Sequence, residues 1–199
     1  MPEPIRLTAV LGSVTAPGRL RRALSEAVER VAAGNGAPAG PAPETELIDL
    51  AQRRIAFADG RPPETLDDDT AGVVDAIARA DAVVLATPVY RASLTGALKN
   101  LLDHVPVPAL QGTPVGIVAM GGSDHHYLGA ERHLRDLLAF FGAHPLPTAV
   151  YLSSRDFADG VPGERAAAQL DELLAACVAL ATLLRGAPEL RPAPLAARF

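Results

Sequence analysis

A single cysteine, Cys177, stands in 199 residues, so no internal disulfide can form and a reducing cytoplasm suits the chain. Leu173, Leu174, Val178 and Leu180 surround it on the apolar face of an expected helix, and no basic residue lies beside it in sequence. A buried structural thiol is expected there rather than a reactive one. Positive charge is short as well. Lys and Arg total 18 against 23 Asp and Glu, giving a net charge of −5 and a pI near 5.5, which argues against general binding to nucleic acid or anionic membranes. The sequence lacks the signatures of most catalytic machinery. There is no Gly-x-Ser-x-Gly elbow, no HExxH spacing and no paired carboxylates, and Asp67-Asp68-Asp69 reads as a solvated stretch before a helix. His125-His126 carries no further His, Cys or carboxylate at ligand spacing, so a ligand contact or an oligomer contact fits the pair better than a metal. No secretory signal precedes the first apolar run, and the Ala-rich stretch 166–184 is interrupted by Gln169, Asp171 and Glu172, so a soluble chain is expected. A site without acid, base, nucleophile or metal points to a cofactor that carries the chemistry itself.

What is present is a regular alternation. Hydrophobic residues make up 49% and charged residues 21%, the balance of a globular chain of one domain. Apolar runs at residues 5–11, 44–50, 82–87, 115–120 and 148–152 read as strands. Between and after them, residues 19–32, 71–79, 94–104, 128–141 and 164–184 carry apolar positions at three- and four-residue steps and read as helices. Five strands separated by helices predict an α/β fold: a flavodoxin-like, doubly wound five-stranded parallel sheet, order 2-1-3-4-5, with helices on both faces. One domain over 1–187 is expected, followed by a Pro/Ala-rich tail at 188–199; that tail and residues 37–43 read as loosely held.

Three loops at strand ends could carry chemistry. After the first strand, Gly12-Ser13-Val14-Thr15 leads to Gly18-Arg19-Leu20. Glycine lets backbone approach a ligand, the Ser13 and Thr15 hydroxyls can donate to phosphate oxygens, and the following helix N-terminus adds free N–H groups. The loop matches neither the Gly-x-Gly-x-x-Gly fingerprint nor the P-loop. A lone phosphomonoester fits it better than a dinucleotide or ATP, although the same residues would also make an ordinary capped turn. After the third strand comes Thr87-Pro88-Val89-Tyr90-Arg91-Ala92-Ser93-Leu94-Thr95-Gly96. It offers an aromatic ring, a cation and hydroxyls at the carboxyl end of a strand, where α/β sheets bind ligands; Ser93 or Thr95 is placed to cap the next helix. After the fourth strand, Gly121-Gly122-Ser123 can aim bare N–H groups at a ring edge or carbonyl oxygen.

These stretches resemble the NADPH-dependent FMN reductases of the flavodoxin-like superfamily, and within them the alkanesulfonate-utilisation type. The resemblance runs from Leu7 to about Leu152 and is most specific at Thr87 to Ser93, at Gly96-Ala97-Leu98-Lys99 and at Leu101-Leu102-Asp103; Ala109 to Gly112 and Gly121-Gly122 also match. It implies an NAD(P)H-dependent enzyme that moves hydride from NADPH to FMN without a catalytic side chain and supplies reduced flavin to a partner monooxygenase. It also implies a homodimer or homotetramer through the third and fourth helices, where Leu134, Leu137, Phe140 and Phe141 offer apolar surface. By the same resemblance Ser13, Thr15, Gly18, Arg19 and Leu20 hold the FMN phosphate. Pro88, Val89, Tyr90, Arg91 and Ser93 line the ribityl chain and ring, and Gly121, Gly122 and Ser123 meet the ring edge. Arg91 could stabilise the reduced flavin or meet the NADPH phosphate. Thr15 stands where the family pattern often has Arg, and Gly18 where it has Ser, which suits a flavin that exchanges as a substrate. A quinone, azo-dye or chromate reductase and a noncatalytic flavodoxin-like electron carrier are the alternatives.

Overall fold

Apolar runs with almost no polar interruption are stable as strands only when both faces of their sheet are covered, and five helices supply that cover. The computed structural model describes residues 3–15, 18–36, 40–124, 127–191 and 193. The strands are β1 (Arg6–Leu11), β2 (Glu44–Asp49), β3 (Ala82–Pro88), β4 (Pro114–Met120), β5 (His144–Pro145) and β6 (Val150–Leu152). They form one parallel sheet in the order β2-β1-β3-β4-β5, with β6 also on β4. The helices are α1 (Arg19–Ala32), α2 (Thr70–Ala78), α3 (Gly96–His104), α4 (Tyr127–Phe141) and α5 (Glu164–Arg185). The expected flavodoxin-like order is therefore the one observed.

Alternation along the strands sorts the core into two layers. Leu7, Ala9 and Leu11 of β1 and Ala82, Val84 and Ala86 of β3 face α1 and α5. Val10, Val83 and Leu85 face α2, α3 and α4. By length and composition α5 could cross a membrane despite its polar residues, but here Ala166, Leu170, Leu173, Leu174, Cys177 and Val178 pack into the first layer. A Cβ on Gly116 of β4 would lie 2.9 Å from the Cys177 Sγ, so glycine is what lets α5 sit this close. Burial pushes the Cys177 thiol up to about 12, in keeping with a structural role.

Several expectations need correction. The fifth strand is not the continuous run 148–152 but two short pieces, β5 and β6, each parallel to β4. Pro145 and Pro147 have no N–H to give a ladder, which confines the segment to an interrupted edge. The second strand stops at Asp49 because its carboxylate accepts from the Ala51 N–H at 3.0 Å and starts a 3₁₀ turn. A short hairpin, β7 (Phe157–Ala158) with β8 (Val161–Pro162), was not expected. On α4, Leu134 and Phe141 belong to the core, leaving only half-buried Leu137 and exposed Phe140 for contact with another subunit. The start of the expected loose tail forms a 3₁₀ turn at Pro188–Leu190, and a ring nitrogen of His144 bonds the Leu190 carbonyl at 2.6 Å. Residues 37–39, the His125-His126 pair and most of 192–199 lie outside the described residues.

Cys177 should resist maleimide at pH 7.5 in the folded protein and label within minutes once urea unfolds the chain. Rapid labelling without denaturant would show that α5 is not seated on Gly116.

Candidate functional site

Parallel pairing brings the three expected loops to one edge. Leu11 pairs with Ala86, Ala86 with Val118, and Pro88 with Met120, so the chain leaves β1, β3 and β4 at neighbouring points on the carboxyl side. Three backbone bonds continue the ladder into the loops: Gly12 N–H to Ala86 O at 2.7 Å, Val89 N–H to Met120 O at 2.8 Å, and Gly121 N–H to Leu152 O at 2.9 Å. Because β2 lies on one side of β1 and β3 on the other, this edge contains the switch point of the sheet, where α/β folds open a ligand crevice.

The first loop ends on a helix with unspent donors. Gly18 is the N-cap of α1, bears no capping side chain, and the first turn has no acidic residue. Among the described residues, the N–H groups of Arg19, Leu20 and Arg21 have no hydrogen-bond partner, and such a terminus attracts anions. The Leu20 side chain lies in the core at 4% exposure, so its amide is what it can present. The Ser13 hydroxyl accepts from the Thr15 N–H and donates to the Thr15 carbonyl, both at 3.3 Å; these long bonds leave the hydroxyl easily redirected. Arg19 is exposed, lies 5.4 Å over the Phe157 ring and donates to the Ser154 hydroxyl at 3.3 Å.

The second loop is strained and braced. Tyr90 and Ser93 exchange backbone bonds of 2.9 and 3.0 Å, closing a tight turn whose central residues Arg91 and Ala92 have φ of +51° and +61°. Two left-handed residues without glycine or asparagine are costly. Two contacts from α4 support the turn. A His133 ring nitrogen lies 2.7 Å from the Ser93 hydroxyl, and Gly129 lies so close that a Cβ there would come within 2.2 Å of the Ala92 carbonyl oxygen. Tyr90 is 51% exposed, and the Arg91 guanidinium has no partner among the described residues. Beneath the turn, the Thr87 hydroxyl accepts from the Thr95 N–H at 3.1 Å. Thr95, not Ser93, is the N-cap of α3, accepting from the Leu98 N–H at 3.2 Å.

The third loop meets a wall that sequence reasoning missed. The Gly121 amide is spent on Leu152, and a Cβ at Gly121 would fall 1.9 Å from the Tyr151 hydroxyl oxygen. Tyr151 donates to the Ser123 carbonyl at 2.5 Å, and Ser154 donates to the Gly122 carbonyl at 3.3 Å. Space around Gly122 is open, and the Gly122 and Ser123 amides face no described acceptor. Ser154 therefore touches both Arg19 and Gly122, joining the first loop to the third. Burial, with Asp124 nearby, pushes the Tyr151 phenol up from its ordinary value. Burial also opposes charge on Asp156, but hydrogen bonds from Arg165 and the Ser153 N–H outweigh it and hold that carboxyl below its ordinary value of 3.8. Among the described residues no three His, Cys, Asp or Glu side chains gather to hold a metal. The uncapped helix, the free amides and the exposed ring fit a flavin mononucleotide: an anion for α1, and a flat heterocycle with polar edges for the other two loops.

A family model described as NADPH-dependent FMN reductase matches residues 5–157. The chain is 38% identical over 117 residues to an NAD(P)H-dependent FAD/FMN reductase of Geobacillus thermodenitrificans, an alignment covering 59% of this chain and 63% of that protein's length. It is 37% identical over 158 residues to the NADH-dependent FMN reductase SfnF of Pseudomonas putida, covering 77% of this chain and 80% of that protein. The apo crystal structure of the NADH:FMN oxidoreductase EMOB superposes with a TM-score of 0.70 at 26% identity, over 88% of this chain and 89% of that one.

Gly129→Ala gains helix propensity but drives a methyl group into Ala92, and the net loss should be about 1–3 kcal/mol of stability. Urea unfolding measures it, and an unchanged midpoint would show that the turn is not braced by α4. A second outcome concerns acid. Folding lowers the Asp156 pKa, so the unfolded chain binds the extra proton and the carboxylate's contribution is complete above about pH 4 and fades as pH falls through the folded value. Asp156→Asn should therefore melt below the wild type at pH 6, with the gap closing as melts are repeated below about pH 4.

Proposed function

The chain belongs to the NADPH-dependent FMN reductase family, and from that premise we propose that FMN binds in the crevice between the three loops and accepts hydride there from a reduced nicotinamide. The observation that carries this reading is the convergence, at the switch point, of the uncapped α1 N-terminus with the rigid Tyr90–Ser93 turn. In this reading Ser13, Thr15, Gly18, Arg19 and the Leu20 amide hold the phosphate. Pro88, Val89, Tyr90, Arg91 and Ser93 line the ribityl chain and ring, and the Gly122 and Ser123 amides meet the ring edge beside Gly121. When bound, FMN supplies the hydride acceptor that no side chain of the protein can replace.

The protein's share is placement and charge. The strained turn fixes Arg91 with its guanidinium unspent, ready to face the negative charge that develops on a reduced isoalloxazine. The Ser154 bond to the Gly122 carbonyl fixes the peptide that carries the Ser123 N–H, and the Tyr151 bond to the Ser123 carbonyl fixes the peptide that follows it. Thr15 and Gly18 offer less to a phosphate than arginine and serine would, which supports an exchangeable flavin that leaves reduced for a partner monooxygenase. We read residues 1–187 as one FMN-binding domain acting in the cytoplasm. Half-buried Leu137, exposed Phe140 and the cavity of about 420 Å³ between α3 and α4 support a homodimer or homotetramer formed across these helices.

Apoprotein mixed with NADPH or NADH and free FMN should lose absorbance at 340 nm only while FMN is present; no FMN-dependent oxidation with either nucleotide would overturn the reading. Arg91→Ala should lower kcat/KM for FMN about tenfold, roughly 1.4 kcal/mol, at an unchanged melting temperature. Equal losses of activity and melting temperature would assign Arg91 to the fold instead.

A further inference from the structure

The opposite edge of the sheet carries a second concentration of charge that the flavin reading does not use. At the amino ends of β1, β3 and β4 a polar cavity of about 230 Å³ is lined by Arg6, Arg79, Asp81, Thr113, Arg185 and Arg191, among others. Four arginines at one concavity are unexpected on a chain whose net charge is −5.

Their partners do not balance them. The Arg6 Nε and the Arg185 Nη2 converge on the same Asp81 oxygen, at 3.4 and 2.8 Å. Arg185 also donates to the carbonyls of Glu3 and Pro4, which pins the incoming chain. Arg79 pairs with Asp75, one turn back on α2, at 2.6 Å. Arg191 has no carboxylate partner among the described residues; its stem rests on Gly112, where φ is +67° and a Cβ would come within 2.4 Å of the Arg191 Cγ. Two carboxylates thus answer four guanidiniums. Glu44 and Glu46 line the adjoining groove beyond Arg6 and form no ion pair with it among the described residues. The Thr113 hydroxyl and the Gln111 side-chain carboxamide also line the cavity and have no described partner.

We propose that this cavity binds a phosphate or pyrophosphate group. Excess guanidinium charge in a concave, polar-lined space selects a compact polyanion, and planar forks suit phosphate oxygens better than ammonium groups do. The cavity lies a strand's length, roughly 20 Å, from the three flavin-side loops, so the group held here is not the phosphate of a flavin seated at the switch point. Arg6 and Arg185 also organise Asp81 and the N-terminal segment. Arg79 and Arg191 hold little else, and they are the residues to test.

Isothermal titration of the apoprotein with inorganic pyrophosphate and with ADP separates the possible sources. Equal affinities assign the site to the free anion, and tighter binding of ADP that Arg79→Ala/Arg191→Ala removes assigns it to a nucleotide; either supports the proposal, whereas ADP binding that the double variant keeps belongs to the nicotinamide site and overturns the nucleotide arm. The double variant Arg79→Ala/Arg191→Ala should weaken pyrophosphate binding at least about fivefold while keeping the melting temperature and FMN-dependent activity of the wild type. Arg19→Ala, altered only at the flavin edge, should leave that binding in place. The proposal fails if pyrophosphate gives no heat up to about 10 mM, if the double variant weakens binding by less than that factor, or if the loss appears only in Arg19→Ala.

Discussion

The buried hydroxyl of Thr95 holds the carboxyl edge of the sheet together. It donates to the Gly12 carbonyl at 2.5 Å and accepts from the Leu98 N–H, while the Thr95 amide donates to the Thr87 hydroxyl. One residue thereby caps α3, closes the exit of β1 and fixes the end of β3. At 3% exposure no water replaces these bonds, and leaving the Gly12 carbonyl unpaired would cost roughly 1–3 kcal/mol. Gly12 is constrained from the other side, since a Cβ there would lie 2.7 Å from the Leu98 Cβ. The seating of Leu98 in the core follows from this approach.

That turn shows where the fold accepts strain. Each left-handed non-glycine residue costs on the order of 1 kcal/mol or more, and Arg91 and Ala92 are consecutive. A glycine at either position would relieve the cost and also loosen the hairpin. Instead the conformation is over-determined by the paired backbone of Tyr90 and Ser93, by the Ser93–His133 bond and by contact with Gly129. The result is a side chain with its charge unspent on a backbone that does not relax. A reduced flavin needs that arrangement from a cation, because a charge that must first be oriented gives back in reorganisation what it gains in attraction.

The fold was legible because its signals are local. Unbroken apolar strands specified a sheet covered on both faces, the bounds of α1 follow from its periodicity, and the cap of α3 narrows to Ser93 or Thr95, between which the structure chooses Thr95. The fifth strand reads in sequence as one apolar run over 148–152, whereas the structure divides it into β5 and β6 on either side of Pro147. At the site, the loops could be named from residue types at strand ends, but their bracing could not. Tyr151 and Ser154 enter from a segment whose sequence resembles any edge turn, and His133 reaches Ser93 across 40 positions. Gly121 and Gly129 were the available clue. The clue is incomplete, because Gly72 and Gly96 also lie inside helices and have open space where a Cβ would stand.

The N-termini of α1 and α3 at the crevice are not equivalent, and the difference bears on how the ligand is oriented. The N-termini of α1 and α3 both point to the carboxyl edge and add positive potential to an acidic protein. In α3 that potential is already answered by the Thr95 oxygen, whereas α1 begins at Gly18 with no capping side chain and no acidic residue in its first turn. An anionic group therefore gains more at α1, which supports the proposed seating of the flavin phosphate there and of its ring over the β3 and β4 loops. The α1 and α3 dipoles, together with the Arg19 and Arg91 guanidiniums, supply this field. That field is fixed by the backbone geometry of the edge, which supports the proposed role of a protein that positions a redox ligand.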